Sequence, residues 1–297
     1  MAKHLIGLLV ISLAIISCTE KQSTDDLKKS ITEELSKQPG IFAVAFKNLT
    51  SEEEILINEH DLFHAASTMK TPVMVEVYKQ AAEGVFSLKD SILIKNEFKS
   101  IVDGSPYSLS VKDDSDTLIY KHLGEKRTVY SLMYDMIIIS SNLATNLIVE
   151  LVDAKNVTNT LRSIGAYDMQ VLRGVEDTKA FEAGMINQVT AYDLMLLFDK
   201  IDHEELVNSE ASMAMMDILL NQKFNDIIPA NLPREVKVAH KTGWITGVHH
   251  DSGIVFLPDG RKYVLVLLSR DLKNEDAAVK TMAAVSKIIY DHVAITN

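Results

Sequence analysis

Three short runs in this chain hold residues whose types and spacing suit nucleophilic acyl chemistry. The first is Ser67-Thr68-Met69-Lys70. Residues three apart on a helix share a face, so a helix beginning near Ser67 brings the Lys70 amine to the serine hydroxyl. That hydroxyl becomes a competent nucleophile when an adjacent base takes its proton. Lysine serves as the base only where burial and neighbouring positive charge lower its pKa. The other runs are Ser140-Ser141-Asn142 and Lys241-Thr242-Gly243. Lys241 supplies a second positive charge, able to depress Lys70 and to attract a substrate carboxylate. A helix starting at Ser67 also aims free backbone N–H groups at a reacting carbonyl, as an oxyanion hole requires. Pro72 falls early in that helix, where a missing N–H is tolerated.

Those side chains need a scaffold, and the patterning predicts one. Segments 41–47 and 55–58 are β-rich and separated by a polar turn, which reads as a hairpin. A helix follows the Ser67 run to about residue 82. Helical periodicity returns over 129–140, 142–152 and 157–164, then over 189–201 and 211–221. Strands are predicted at 236–241, 252–256 and 263–268, the last two joined by the turn Leu257-Pro258-Asp259-Gly260. An amphipathic helix over about 276–293 ends the chain. Two strands, a helical block, three strands and a helix imply an antiparallel sheet whose terminal segments pair, with a helical lobe inserted in sequence.

With the motifs in this order, the chain resembles the superfamily of class A β-lactamases and penicillin-binding serine hydrolases. The resemblance extends from Ile41 to the C-terminal helix and includes Ser140-Ser141-Asn142-Leu143-Ala144-Thr145-Asn146 and His240-Lys241-Thr242-Gly243. Asp251, eight residues past the last motif, fits as well. The resemblance implies an α+β, two-lobed fold, with a five-stranded antiparallel sheet, flanking helices and an all-helical lobe.

It also implies roles. Ser67 is the acylated nucleophile and Lys70 its proton acceptor or relay. Ser140 passes a proton to the leaving nitrogen. Asn142 binds the substrate's side-chain amide, and Lys241 and Thr242 bind its carboxylate. The backbone N–H groups of Ser67 and Trp244 form the oxyanion hole, with Gly243 between Thr242 and Trp244. The leading functional expectation is a serine β-lactamase opening penicillins or cephalosporins through an acyl-Ser67 intermediate. The alternatives are a D,D-peptidase or esterase of the same fold, and a penicillin-binding sensor that acylates without efficient turnover.

Three departures from the family pattern stand out. Ser141 occupies a position that is aspartate in most β-lactamases. The stretch between Lys70 and Ser140 is long, with the extra residues in a polar segment, 96–127, that contains Asp113-Asp114-Ser115-Asp116 and Tyr107. Tyr107 reads as a surface loop tyrosine, with the substrate cleft as the alternative place for it. The family's omega-shaped loop carries a glutamate that activates the hydrolytic water. Here Arg173-Gly174-Val175-Glu176-Asp177 occupies the region, and Glu176 lies one residue later than expected. Glu182 and Asp177 are the other candidates for the base.

The N-terminus predicts export. Lys3 and His4 precede an apolar run over 5–16, too short for an ordinary membrane-spanning helix. Ile15-Ile16-Ser17-Cys18 resembles a bacterial lipoprotein box. Residues 1–17 thus read as a signal peptide, Cys18 as the lipidated residue, 18–28 as a polar tether and 29–297 as the catalytic domain. Cys18 is the sole cysteine, so an intrachain disulfide is impossible. The implied location is the periplasmic face of a bacterial membrane.

The formal net charge of −11 argues against a nucleic-acid partner. A small-molecule β-lactam or a peptidoglycan-derived peptide is the expected ligand, and the protein is expected to be a monomer. His60 with His64, and His249 with His250, are not joined by further ligands in a metal-binding pattern, and His240 reads as structural. Without a phosphate-binding glycine loop, no nucleotide cofactor is expected.

Overall fold

The computed structural model describes residues 23–295. The predicted leader and Cys18 lie outside them. Helix α1 (Thr24–Leu35) is capped by the Ser23 hydroxyl, which accepts from the Asp26 N–H. Its buried residues Leu27, Ile31 and Leu35 recur every four positions and form one apolar stripe. The stretch expected to be tether up to residue 28 is therefore folded from Thr24 onward. Its polar composition hid a helix because a helix lying on a surface needs only one apolar residue per turn.

Strand β1 (Ile41–Asn48) and β2 (Glu54–Ile57) form the predicted hairpin. A two-residue strand, β3 (Phe63–His64), leads to a 3₁₀ turn at Ala66–Met69, which runs straight into α2 (Lys70–Ala82). The segment after α2 carries four short strands, β4 (Ser91–Leu93), β5 (Phe98–Lys99), β6 (Pro106–Tyr107) and β7 (Lys126–Thr128). They pair as β4 with β7 and β5 with β6, so the segment between α2 and the next helix is folded rather than a plain loop.

Helices α3 (Val129–Ile138), α4 (Asn142–Val152) and α5 (Ala154–Ser163) then build the helical lobe. The one-turn helix α6 (Thr178–Glu182), strand β8 (Gln188–Val189), α7 (Ala191–Asp202) and α8 (Ser209–Leu219) complete it. Strand β8 pairs with β3, tying the exit of the 173–187 loop to the segment that precedes Ser67. The chain closes with β9 (Lys237–Ile245), β10 (Val248–Phe256), β11 (Lys262–Arg270) and α9 (Glu275–Ile295). Strand β10 begins four residues before the predicted 252, which puts Asp251 inside the strand rather than at its start.

The large sheet has five antiparallel strands in the order β2-β1-β11-β10-β9, so the chain's two ends meet at β1 and β11 as predicted. Side chains alternate between its faces. Phe42, Val44 and Phe46 of β1, with Tyr263, Leu265 and Leu267 of β11, pack in a core shared with α1 and α9. Ala43, Ala45, Val264, Val266 and Leu268 point the other way, into the core that continues through the helical lobe. Both faces are thus buried, and the edge strand β9 is free to line a cleft.

Candidate active site

Ser67 sits in the 3₁₀ turn, and Lys70 is the first residue of α2. Ser67 is half-buried and faces a cleft of about 550 Å³, whereas Lys70 is fully buried. The Lys70 Nζ donates to the Ser140 carbonyl at 2.7 Å, to Ser140 Oγ at 3.1 Å and to Asn142 Oδ1 at 3.0 Å. Burial lowers its pKa to about 7, although the nearby Asp114 and Glu176 carboxylates act to raise it. Of the two causes expected from sequence, burial and a neighbouring cation, loss of hydration is the one that lowers Lys70.

Lys241 lies on β9 on the far side of Ser140. Its Nζ donates to Ser140 Oγ at 3.0 Å and to the Thr242 carbonyl at 2.7 Å. Burial, and then the positive charge of Lys70, hold its pKa well below that of a free lysine. Ser140 Oγ therefore accepts from two amines, leaving its own proton free to be given up. That is the geometry needed by a group that relays a proton from Lys70 to a leaving nitrogen.

Strand β9 passes the start of the serine's turn very closely. A methyl group on Gly243 would lie 2.9 Å from the Ser67 nitrogen and 3.0 Å from the Thr68 nitrogen, so only glycine fits. This approach brings the Lys241-Thr242-Gly243 run alongside the nucleophile. Trp244 follows; it is 58% exposed and lines the cleft. His240, behind the strand, is buried with Asp251, its Nδ1 2.8 Å from Asp251 Oδ1, and braces β9 against β10. His240 is not among the residues lining the cleft, and its Nε2 is 3.2 Å from Asn225 Oδ1.

The loop from Arg173 brings two of its three acidic candidates, Glu176 and Asp177, to the lining of the cleft, and they differ in what holds them. Glu176 Oε1 accepts from Asn142 Nδ2 at 3.1 Å, and Oε2 accepts the Ser110 N–H at 2.9 Å. Burial raises its pKa, opposed by those two hydrogen bonds. Asp177 is occupied elsewhere: Ser100 Oγ donates to it at 2.9 Å, the Ile101 N–H at 3.0 Å, and it caps α6 through the Ala180 N–H at 3.1 Å. Glu182 is exposed and is not among the residues lining the cleft.

Three non-glycine residues that line the cleft have positive φ: Ala66 at 44°, Ser140 at 58° and Glu176 at 62°. Each such residue costs about 1–3 kcal/mol and persists where its surroundings over-determine it. The surroundings of Glu176 are visible. Asn146 Oδ1 accepts the Val175 N–H at 2.6 Å and its Nδ2 donates to the Val175 carbonyl at 3.0 Å. A Cβ on Gly174 would fall 2.2 Å from Asn146 Oδ1. Asn187 grips the same loop, accepting the Leu172 N–H at 2.8 Å and donating to the Arg173 carbonyl at 2.9 Å.

Tyr107 neither lines the cleft nor lies free on a surface. Its hydroxyl accepts from Asn146 Nδ2 at 3.2 Å, bracing the residue that holds the loop. Asn146 lies four residues after Asn142, on the same helix face, and that spacing is the sequence signal for it. Of the histidines, His64 lines the cleft and its Nδ1 accepts the Ala66 N–H at 3.0 Å. His60 is paired with Asp168 outside it. Among the described residues no group of three or more His, Cys, Asp or Glu side chains is placed to hold a metal ion.

A buried lysine beside a serine, a second lysine sharing a relay serine and a loop carboxylate together define an acylating serine hydrolase between a sheet and a helical lobe. Residues 26–293 match the Beta-lactamase enzyme family, and the chain belongs to that family. It is 24% identical over 308 residues to a β-lactamase of Bacteroides uniformis, covering 98% of this chain and 99% of the relative. Among solved structures it is similar to PBP-A, with a TM-score of 0.77, 25% identity and coverage of 91% of this chain and 96% of that one. The fold is also that of a β-lactamase from Sphaerobacter thermophilus, with a TM-score of 0.78, 23% identity and coverage of 91% and 98%.

Proposed function

We propose that this protein hydrolyses the lactam amide of penicillins or cephalosporins through an acyl-Ser67 intermediate. The lactam carbonyl enters between Ser67 and β9, with its carboxylate toward Lys241 and Thr242 and its side-chain amide toward Asn142. Neutral Lys70 takes the Ser67 proton as Oγ attacks the carbonyl. The negative oxygen that forms is met by the backbone N–H groups of Ser67 and Trp244. The proton passes through Ser140 Oγ to the lactam nitrogen as the C–N bond breaks. Water, deprotonated by Glu176, then attacks the ester carbonyl; the C–O bond to Ser67 breaks and the proton taken up by Glu176 is delivered to Ser67 Oγ, which restores the free enzyme.

The observation that carries turnover, rather than acylation alone, is the place of Glu176. Its carboxylate stands in the cleft, tied through one Asn142 side chain to Lys70. Purified protein incubated with a chromogenic cephalosporin and then weighed intact tests the reading. Sustained colour with an unmodified final mass supports it. A persistent adduct without turnover would instead identify a penicillin-binding protein that stays acylated, or a peptidase slow on lactams.

We further propose export and lipid attachment at Cys18, as a monomer, on the strength of the apolar run and the Ile16-Ser17-Cys18 sequence. Each buried methylene adds about 0.8 kcal/mol of membrane affinity, so several acyl chains make attachment lasting. Wild type in the detergent phase and Cys18→Ser in the aqueous phase is the expected partition. Both in the aqueous phase would refute the anchor.

A further inference from the structure

Ser141 stands where most β-lactamases carry an aspartate, yet a buried carboxylate is present beside it, supplied by another part of the chain. Asp114 Oδ1 accepts the Asn142 N–H at 2.9 Å, and Oδ2 accepts the Leu143 N–H at 2.9 Å. The same carboxylate accepts the Asp116 N–H at 2.9 Å and the Tyr120 hydroxyl at 2.9 Å. Four donors converge on a residue that is 5% exposed. Asp116 is also buried; it accepts the Ile119 N–H at 3.2 Å and is hydrogen-bonded to the Ser141 side chain. Ser141 Oγ also accepts the Ala144 N–H, at 3.3 Å.

We propose that Asp114, with Asp116 behind it, is the positioning residue of the second motif, and that the 96–127 segment exists in part to deliver it. The first N–H groups of a helix have no partner within the helix. Asp114 satisfies two of them at the start of α4 with charge-assisted bonds, on the end of the helix dipole that favours an anion. One of the two belongs to Asn142, whose side chain then holds Lys70 through its oxygen and Glu176 through its nitrogen. A carboxylate 28 residues upstream thereby sets the distance between the acylation base and the loop glutamate. This inference rests on the acylation chemistry assigned above to Ser67 and Lys70.

Asp114→Asn keeps the shape but replaces one accepting oxygen with an N–H₂ facing donors, so Asn142 shifts. The rate of Ser67 labelling by a penicillin is expected to fall by about 100-fold, the usual effect of moving a reacting group by an ångström. The charged groups facing Lys70 are Lys241, Glu176 and Asp114. Removing the Asp114 charge leaves one fewer anion raising Lys70, so the acid limb of the labelling rate moves to lower pH. A residue that only stabilised the fold would leave that limb in place.

The decisive comparison restores the usual family residue. Ser141→Asp should be harmful in this chain, because a third carboxylate enters beside Asp114 and Asp116. Ser141→Asp combined with Asp114→Ser should recover at least about ten-fold in labelling rate, the non-additivity expected of residues sharing one site. The same cycle read in thermal midpoints needs no substrate: Ser141→Asp should lower the midpoint much less when Asp114 is already Ser. Additive midpoints, or an Asp114→Asn protein with parental labelling rate and acid limb, would overturn the proposal. Failure of the parent chain to label at all would count against the β-lactam reading, while the midpoint cycle would still decide this one.

Discussion

The side chain of Asn142 donates from Nδ2 to Glu176 Oε1 at 3.1 Å while its oxygen accepts from Lys70. One amide therefore spans the proposed acylation base and the carboxylate proposed to end the reaction. On that proposal the two half-reactions share a single support, and substitutions on either side of it should separate them.

Ser67→Ala should abolish turnover and covalent labelling together. Removing the nucleophile from a cooperating catalytic set costs on the order of 10⁶ in rate. The intact mass after penicillin treatment reports it directly, and an adduct on any other serine would displace Ser67 from its role.

Lys70 must be neutral to accept the serine proton. Its pKa of about 7 means that the amine is protonated below that pH and free above it. Single-turnover labelling should therefore rise as pH increases through about 7 and level off above it. A rate that is flat across this range would assign the base to another group.

Glu176→Gln should leave acylation largely intact and slow ester hydrolysis. A positioned general base contributes about 10²–10⁴-fold, so the acyl-enzyme should accumulate and be seen by mass. Because burial raises the Glu176 pKa, and the base acts only when ionised, hydrolysis in the wild type should fail with acid at a pH above the ordinary carboxylate range. The same change at Asp177 should instead lower stability, since that carboxylate ties 100–101 to α6.

Gly243→Ala introduces a methyl group 2.9 Å from the Ser67 nitrogen. Either β9 or the serine's turn must give way, which withdraws N–H donors from the reacting oxygen. Loss of one such donor costs about 10²–10³ in kcat. Rapid-quench acylation rates would register the change, and a wild-type rate would mean the oxyanion is held elsewhere.

Much of this site was legible in the residues alone because its chemistry is locally spaced. Ser67 and Lys70 are three apart, in a 3₁₀ turn and the first residue of the helix it runs into, and Lys241, Thr242 and Gly243 are consecutive on one strand. Strand and helix order also followed from apolar periodicity, since burial on a sheet or helix face repeats every two or every three to four residues. The pairing of β1 with β11 followed from that order.

The rest depended on which distant surfaces meet. Glu176, Asp177 and Glu182 are three acidic letters on one loop; the clamp of Asn146 and Asn187 and a positive φ at Glu176 set that carboxylate against Asn142, while Asp177, also in the cleft wall, is taken up by Ser100, Ile101 and Ala180. Lys70 read as a base lowered by burial and a cationic neighbour; the burial is complete and is the dominant cause, but how complete it is depends on chain from elsewhere and leaves no local trace. Asp114 was one acidic residue of a long polar segment until the fold carried it to the start of α4. Sequence determined which groups can react and which elements bear them. Tertiary structure decided their solvation and orientation, because both are set by atoms tens of residues away along the chain.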